Sequence, residues 1–195
     1  IKGNPNELIY PRSAIKSIQA SAMVRKGLNQ EVRNLALICA SHSGSGAHQE
    51  VALEILRSAG LDESALQCAL DRPLGAQERK EWGDKAPTRL AMNCSGKHAG
   101  MLATCVANNW PIENYLEPTH PLQIAIREEL ETLAGEKVSH ITVDGCGAPL
   151  FLISIHGLAK AFYNLATSSD PIHKQVIAAC LAHPEMVAGI GRSDT

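Results

Sequence analysis

From Ser13 onward, apolar side chains at Ile15, Ile18, Ala22 and Met23 recur with the spacing of one helix face. Pro11 stands just before this stretch, and Gly27 can take the left-handed conformation that closes a helix, so a helix is predicted to open at Ser13. Over residues 31–40, Val32, Leu35, Ala36, Cys39 and Ala40 fit a helical stripe better than alternation, although LALICA alone could pass for a buried strand. The polar loop SHSGSGAH follows, then a helix over residues 47–59 ended by Gly60 and a short one after Asp62. Residues 73–87 are polar and rich in breakers and read as a long connection. Ser95 is placed to cap a helix through Lys97, Met101, Leu102 and Val106 to Asn109, which Pro111 prevents from continuing. Residues 121–134, 156–166 and 171–183 are further helices. HITVDG and LFLISI are the best strands, separated by the turn-forming CGAP of residues 146–149. With no repeat or low-complexity segment, the pattern predicts an α+β fold rich in helix.

Composition narrows the function. A chain of 195 residues suits a single domain over residues 1–195, and a fold of this size buries about 70% of its unfolded surface. With 45% hydrophobic and 19% charged residues and a net charge of −2, the chain has neither the basic profile of a nucleic-acid binder nor the acidic profile of disorder. No apolar run approaches the roughly 20 residues that cross a bilayer, and IKGNPNELIYPRS lacks the pattern of a signal peptide. A soluble protein with a small-molecule substrate is expected, without nucleic-acid or membrane partners. Six cysteines, three of them among alanine, valine and leucine, read as buried thiols in a reducing, cytoplasmic compartment. Aromatic residues make up only 4%, so packing must rest on aliphatic side chains and alanine, which favours closely packed helices.

Three constellations could carry chemistry. Ser13 and Lys16 are three residues apart on a helix and so share a face, where an uncharged amine could take the hydroxyl proton; a solvated helix start is the plainer reading of so short a pattern. Ser41-His42-Ser43-Gly44 lies directly after an apolar helix, where polar side chains are held at the edge of a core; equally, the loop could be a capping turn in which Ser43 or Ser45 caps the next helix. His48 reads as a surface helix residue. The third constellation pairs NCSGKHAG (residues 93–100) with DGCG (residues 144–147). Its thiols could be zinc ligands, with His98 the conventional third ligand and Lys97 the less conventional one, since an amine must first lose its proton. Buried free thiols are the alternative.

Taken in order, PRSAIKSIQ, CASHSGSGAH, MNCSGKHAGML and VDGCGAP resemble the zinc-containing L-asparaginases of the rhizobial type, often called the asparaginase II family, over essentially the whole chain. The resemblance implies a fold like that of the serine β-lactamases and penicillin-binding proteins, and hydrolysis of the side-chain amide of asparagine. By motif it implies Ser13 as nucleophile, Lys16 as its base and Ser41 as the serine linking them. Arg12 and Asp144 would engage the amino-acid substrate, with His42 and His98 close to it, and Cys94, Lys97 and Cys146 would hold zinc (Zn2+). The metal would position substrate while serine carries the acyl group. A homodimer is expected.

The loop departs from the family at Ser45, where an acidic residue is usual, and Ser41 and Ser43 both stand as candidates for the relay. The resemblance also implies further chain at both ends: a strand segment before Ile1 and a glycine-rich portion with another lysine after Thr195. Two other functions compete with asparagine hydrolysis. One is a serine hydrolase of another amide or a lactam using the same Ser13 and Lys16. The other is a catalytically silent module that binds zinc or an amino acid.

Overall fold

A computed structural model describes residues 3–192 of the chain. In chain order it places β1 (Leu8–Ile9), α1 (Lys16–Arg25), α2 (Val32–Ile38), α3 (Gly46–Ser58), α4 (Ala76–Trp82), α5 (Ser95–Ala107) and α6 (Pro121–Ala134). There follow β2 (His140–Val143), β3 (Pro149–Ser154), α7 (Ile155–Thr167), α8 (Pro171–Ala182) and α9 (Pro184–Val187). The architecture is α+β and helix-rich, as the periodicity predicts. β3 lies between β1 and β2 and pairs antiparallel with both, with His140 opposite Leu152 and Val143 opposite Pro149 in the predicted hairpin.

Side-chain caps fix the starts of α3, α6 and α8. Ser45 begins α3 through a capping box with His48, His120 accepts the N–H of Leu122 at 3.2 Å ahead of Pro121, and Asp170 accepts that of Ile172 at 2.9 Å ahead of Pro171. Gly135 ends α6 in the left-handed region at φ 69°. Four expectations are corrected. The chain does not enter an α-helix at Ser13: Arg12–Ile15 forms a 3-10 turn, because Arg12 takes φ 47° and keeps the first turn off the α-helical path. The stretch 73–87 is not wholly loop, since AQERKEW contains no breaker and winds into α4, with Gln77 donating to Glu81 at 2.6 Å. Cys94, not Ser95, is the N-cap of α5, and the Ser95 hydroxyl donates to the Leu90 carbonyl at 2.9 Å. His48 is buried rather than exposed, because its ring closes the capping box and also meets the Glu185 carbonyl at 2.9 Å.

The core is built around α5, which is buried on every side from Ser95 to Cys105 and packs on α1, α2, α3 and α6. Arg25 of α1 ties this frame to its neighbours, donating to Glu129 of α6 at 2.9 Å and to Asp170 at the start of α8 at 2.7 Å, while His173 meets the same Glu129 at 2.7 Å. Among the described residues no helix is long and apolar enough to cross a membrane.

Glycine lets α2 and α5 touch. A Cβ at Gly96 would lie 2.6 Å from Leu37 Cγ and 2.7 Å from the Leu37 carbonyl oxygen, and one at Gly100 would lie 2.8 Å from Ile38 Cγ1. Gly96→Ala is therefore expected to force the two helices apart and destabilise the protein by about 1–3 kcal/mol, read as a lower urea midpoint. An unchanged midpoint would show that the contact relaxes freely.

Candidate active site

A cleft of about 400 Å³ opens between the 3-10 turn, α1, the end of α2 and the α8–α9 region, lined by Ser13, Ser17, Cys39, Ser41, Cys180 and Val187. Ser13 and Ser41 thus face one space although 28 residues of chain separate them. Ser13 is exposed in the 3-10 turn, whereas Lys16, at the first position of α1, is fully buried beneath the cleft.

The Lys16 amine donates to the Ala40 carbonyl, to Ser41 Oγ at 2.9 Å and to Cys94 Sγ at 3.0 Å. Its three donors are therefore committed, and the serine it touches is Ser41 rather than Ser13. Burial lowers its pKa from the ordinary lysine value, opposed by the adjacent Cys94. Ser43, the other candidate relay, points elsewhere: its hydroxyl donates to Glu78 Oε1 at 2.5 Å, and its N–H to the Ala188 carbonyl at 2.6 Å.

Behind Lys16, the start of α5 and the turn after β2 meet. Cys94 at the N-cap lies beside Cys146 from the turn, and Lys97 donates to Cys146 Sγ at 3.1 Å. The neighbouring Cys146 pulls Cys94 down to about 5 against the cost of burial, helped by the charges of Lys16 and Lys97. Cys146 is pushed up by Cys94 and by burial. Burial alone would lower Lys97, but the charges of Cys146 and Cys94 raise it. The cluster therefore favours a positive charge held between two sulfurs.

His98 is enclosed one position further along α5. Its Nδ1 meets the Tyr115 hydroxyl at 2.7 Å, its Nε2 is buried with no hydrogen-bond partner although Cys146 lies near it, and burial lowers its pKa to about 4. An unpaired buried nitrogen costs roughly 1–3 kcal/mol. The two thiols and the Lys97 amine make a donor set that fits zinc, a metal that takes sulfur and nitrogen ligands. Among the described residues no three His, Cys, Asp or Glu side chains converge as a metal site.

At the rim, Arg12 Nη2 and Nε approach Asp144 Oδ1 at 3.0 and 3.1 Å, the guanidinium 68% exposed and the carboxylate 10%. Arg12 is held at φ 47°, a conformation that costs about 1–3 kcal/mol in a non-glycine residue and aims its side chain at the turn carrying Cys146. His42 lies apart from the cleft lining: it is fully buried, bonded through Nε2 to Ser95 Oγ at 3.0 Å and stacked on His48 at 5.0 Å. Burial lowers its pKa well below the usual value, so its ring is neutral. The sequence pattern alone does not single out Tyr115 or Glu78 as supports, nor Cys39 and Cys180 as cleft walls. Cys39 stands two residues before Ser41 and could have been found from that spacing. Cys180 carries no local signal, because only the packing of α8 on α2 brings it there.

Serine hydroxyls over a buried lysine are the equipment of a hydrolase. The model of the L-asparaginase II family matches residues 1–195, the whole length of the chain, and the chain belongs to that family. Membership supports an amidohydrolase whose small-molecule substrate is asparagine. No curated protein matches the chain significantly.

Proposed function

We propose that the protein hydrolyses L-asparagine to L-aspartate and ammonia, with Ser13 as nucleophile and Lys16 acting on it through Ser41. The observation that carries this reading is the 2.9 Å bond from the buried Lys16 amine to Ser41 Oγ, in the cleft that Ser13 also lines. In the reacting state the amine is neutral: Ser13 Oγ attacks the side-chain amide carbon while its proton passes to Ser41 and that of Ser41 to Lys16. The proton returns by the same path to the leaving nitrogen, the C–N bond breaks and ammonia departs. Water then attacks the Ser13 ester with the relay repeated, freeing aspartate. The engagement of Ser43 with Glu78 supports Ser41 as the relay.

Arg12 and Asp144, paired in the free protein, offer complementary charges to the α-carboxylate and α-ammonium of the substrate. Cys94, Lys97 and Cys146 would hold zinc, which when bound supplies a fixed positive charge that positions a polar end of the substrate. His98 Nε2, unpaired and close to Cys146, is placed to hydrogen-bond what completes that site. A small antiparallel sheet beside a helical frame, with serine and lysine at the start of α1, supports a scaffold like that of the serine β-lactamases.

The test is ammonia release from L-asparagine by the purified, metal-loaded protein. Turnover is expected, and Lys16→Met, which keeps the stem without a basic nitrogen, should lower kcat by about 10²–10⁴-fold. A well-folded protein that releases no ammonia at neutral to alkaline pH, or a fully active Lys16→Met, would overturn the reading.

A further inference from the structure

We infer that Cys39 and Cys180 form an oxidisable dithiol in the wall of the cleft, which a hydroperoxide converts to a disulfide beside Ser41. Neither thiol has a part in the chemistry above. Cys39 is the C-cap of α2, two residues before Ser41, and Cys180 comes from α8, which packs across α2. Both line the cleft with Ser13 and Ser41, and each thiol is the strongest single influence on the other's ionisation, as neighbouring sulfurs are. All six cysteines are free thiols, and the other thiol pair in contact, Cys94 and Cys146, is committed to the two lysine amines. Cys39 and Cys180 are thus a thiol pair already in contact and open to a solute that enters the cleft.

Their surroundings divide the roles. Cys180 is half-buried and Cys39 buried, so a solute entering the cleft meets Cys180 first; Cys39 beside it draws its pKa down, while Cys39 itself is pushed up by Cys180 and by desolvation. The Cys180 thiolate therefore attacks an oxygen of hydrogen peroxide: the S–O bond forms as the O–O bond breaks, Cys180 becomes a sulfenic acid, and the departing hydroxide takes up the proton that the Cys180 thiol had released and leaves as water. The Cys39 sulfur then attacks the Cys180 sulfur, the S–S bond forms as the S–O bond breaks, and the hydroxyl leaves with the Cys39 proton as a second water. Two thiols are oxidised and one peroxide is reduced.

The bridge would pin the end of α2 to α8. Directly after Cys39 come the Ala40 carbonyl and the Ser41 hydroxyl, both acceptors of the Lys16 amine. A displacement of about 1 Å in such a constellation can cost up to about 100-fold in rate. Oxidation is therefore expected to lower turnover, a consequence that rests on the proposed role of Lys16.

Peptide mapping under non-reducing conditions, before and after hydrogen peroxide, tests the dithiol without reference to activity. A Cys39–Cys180 peptide is expected, lost again with dithiothreitol. In Cys39→Ser a 1,3-diketone probe should trap sulfenic acid on Cys180, whereas in Cys180→Ser it should leave Cys39 unlabelled. Oxidised protein should lose at least about tenfold in kcat on asparagine and regain it with dithiothreitol. Cys180→Ser should keep its own untreated rate through the peroxide step. A bridge only between Cys94 and Cys146, or no bridge, would overturn the inference even if asparagine is hydrolysed. A Cys39–Cys180 bridge in a protein that never hydrolyses asparagine would uphold the dithiol and overturn the proposed function. A bridge that leaves kcat unchanged would overturn the coupling to Lys16.

Discussion

Ser13→Ala is expected to lower the rate of ammonia release from asparagine by on the order of 10⁴ or more, since the variant has lost the atom that forms the ester. Stability should change by no more than about 0.5 kcal/mol, because Ser13 is exposed and the residue at the N-cap of its 3-10 turn is Pro11. The fold therefore survives the substitution, and thermal unfolding checks that part. Ser41→Ala is the necessary companion, because the lysine touches Ser41 and not Ser13. As a relay, Ser41 supports proton transfer but forms no bond to carbon, so its loss should cost less than that of Ser13, about 10²–10⁴-fold. The reverse order, with Ser13→Ala active and Ser41→Ala dead, would move the nucleophile to Ser41.

The helices whose starts and stops are written in local chemistry were legible. His120-Pro121 and Asp170-Pro171 open α6 and α8, Gly135 closes α6, and the CGAP turn joins β2 to β3. What was not legible depended on partners distant in the chain. β1 is two residues long and exists because Leu8 and Ile9 pair with Ser154 and Ile153 of β3. His48 looks like a polar helix residue until its ring is seen to close the Ser45 capping box and reach Glu185, 137 residues away. In the candidate site the residue types were readable and their wiring was not. The spacing of Ser13 and Lys16 suggested a direct bond, but the 3-10 turn at Arg12 precedes α1, and the lysine amine is drawn to Ala40, Ser41 and Cys94. Likewise Ser41 and Ser43 are equivalent by spacing and are separated by their partners, Lys16 for Ser41 and, for Ser43, Glu78 from the helix inside an apparent loop. The convergence of Cys94 and Cys146 across 52 residues is the work of α5 and the β2–β3 turn together.

Lys97→Ala is expected to weaken zinc binding by more than about 100-fold, beyond what loss of a supporting residue usually removes. His98→Ala should stay within that limit. The ranking follows from geometry: Lys97 Nζ lies against Cys146 Sγ at 3.1 Å, inside the cluster that Cys94 completes, whereas His98 is held through Nδ1 by Tyr115. A purely electrostatic role for Lys97 is a real rival, because an ammonium between two thiols steadies them without any metal. Lys97→Arg separates the two roles. Arginine keeps the charge but has no nitrogen that gives up its proton near neutrality, so it can serve the thiols and cannot bind zinc. Metal content of freshly purified Lys97→Arg should therefore be as low as that of Lys97→Ala. Zinc retained in Lys97→Arg, or lost from His98→Ala but not from Lys97→Ala, would assign the third ligand elsewhere. Binding in the unmodified protein should also weaken as pH falls, since protons compete with the metal for the amine and both sulfurs. A competition titration with a chromogenic zinc chelator across pH reads that slope directly, and an affinity independent of pH would exclude a lysine ligand.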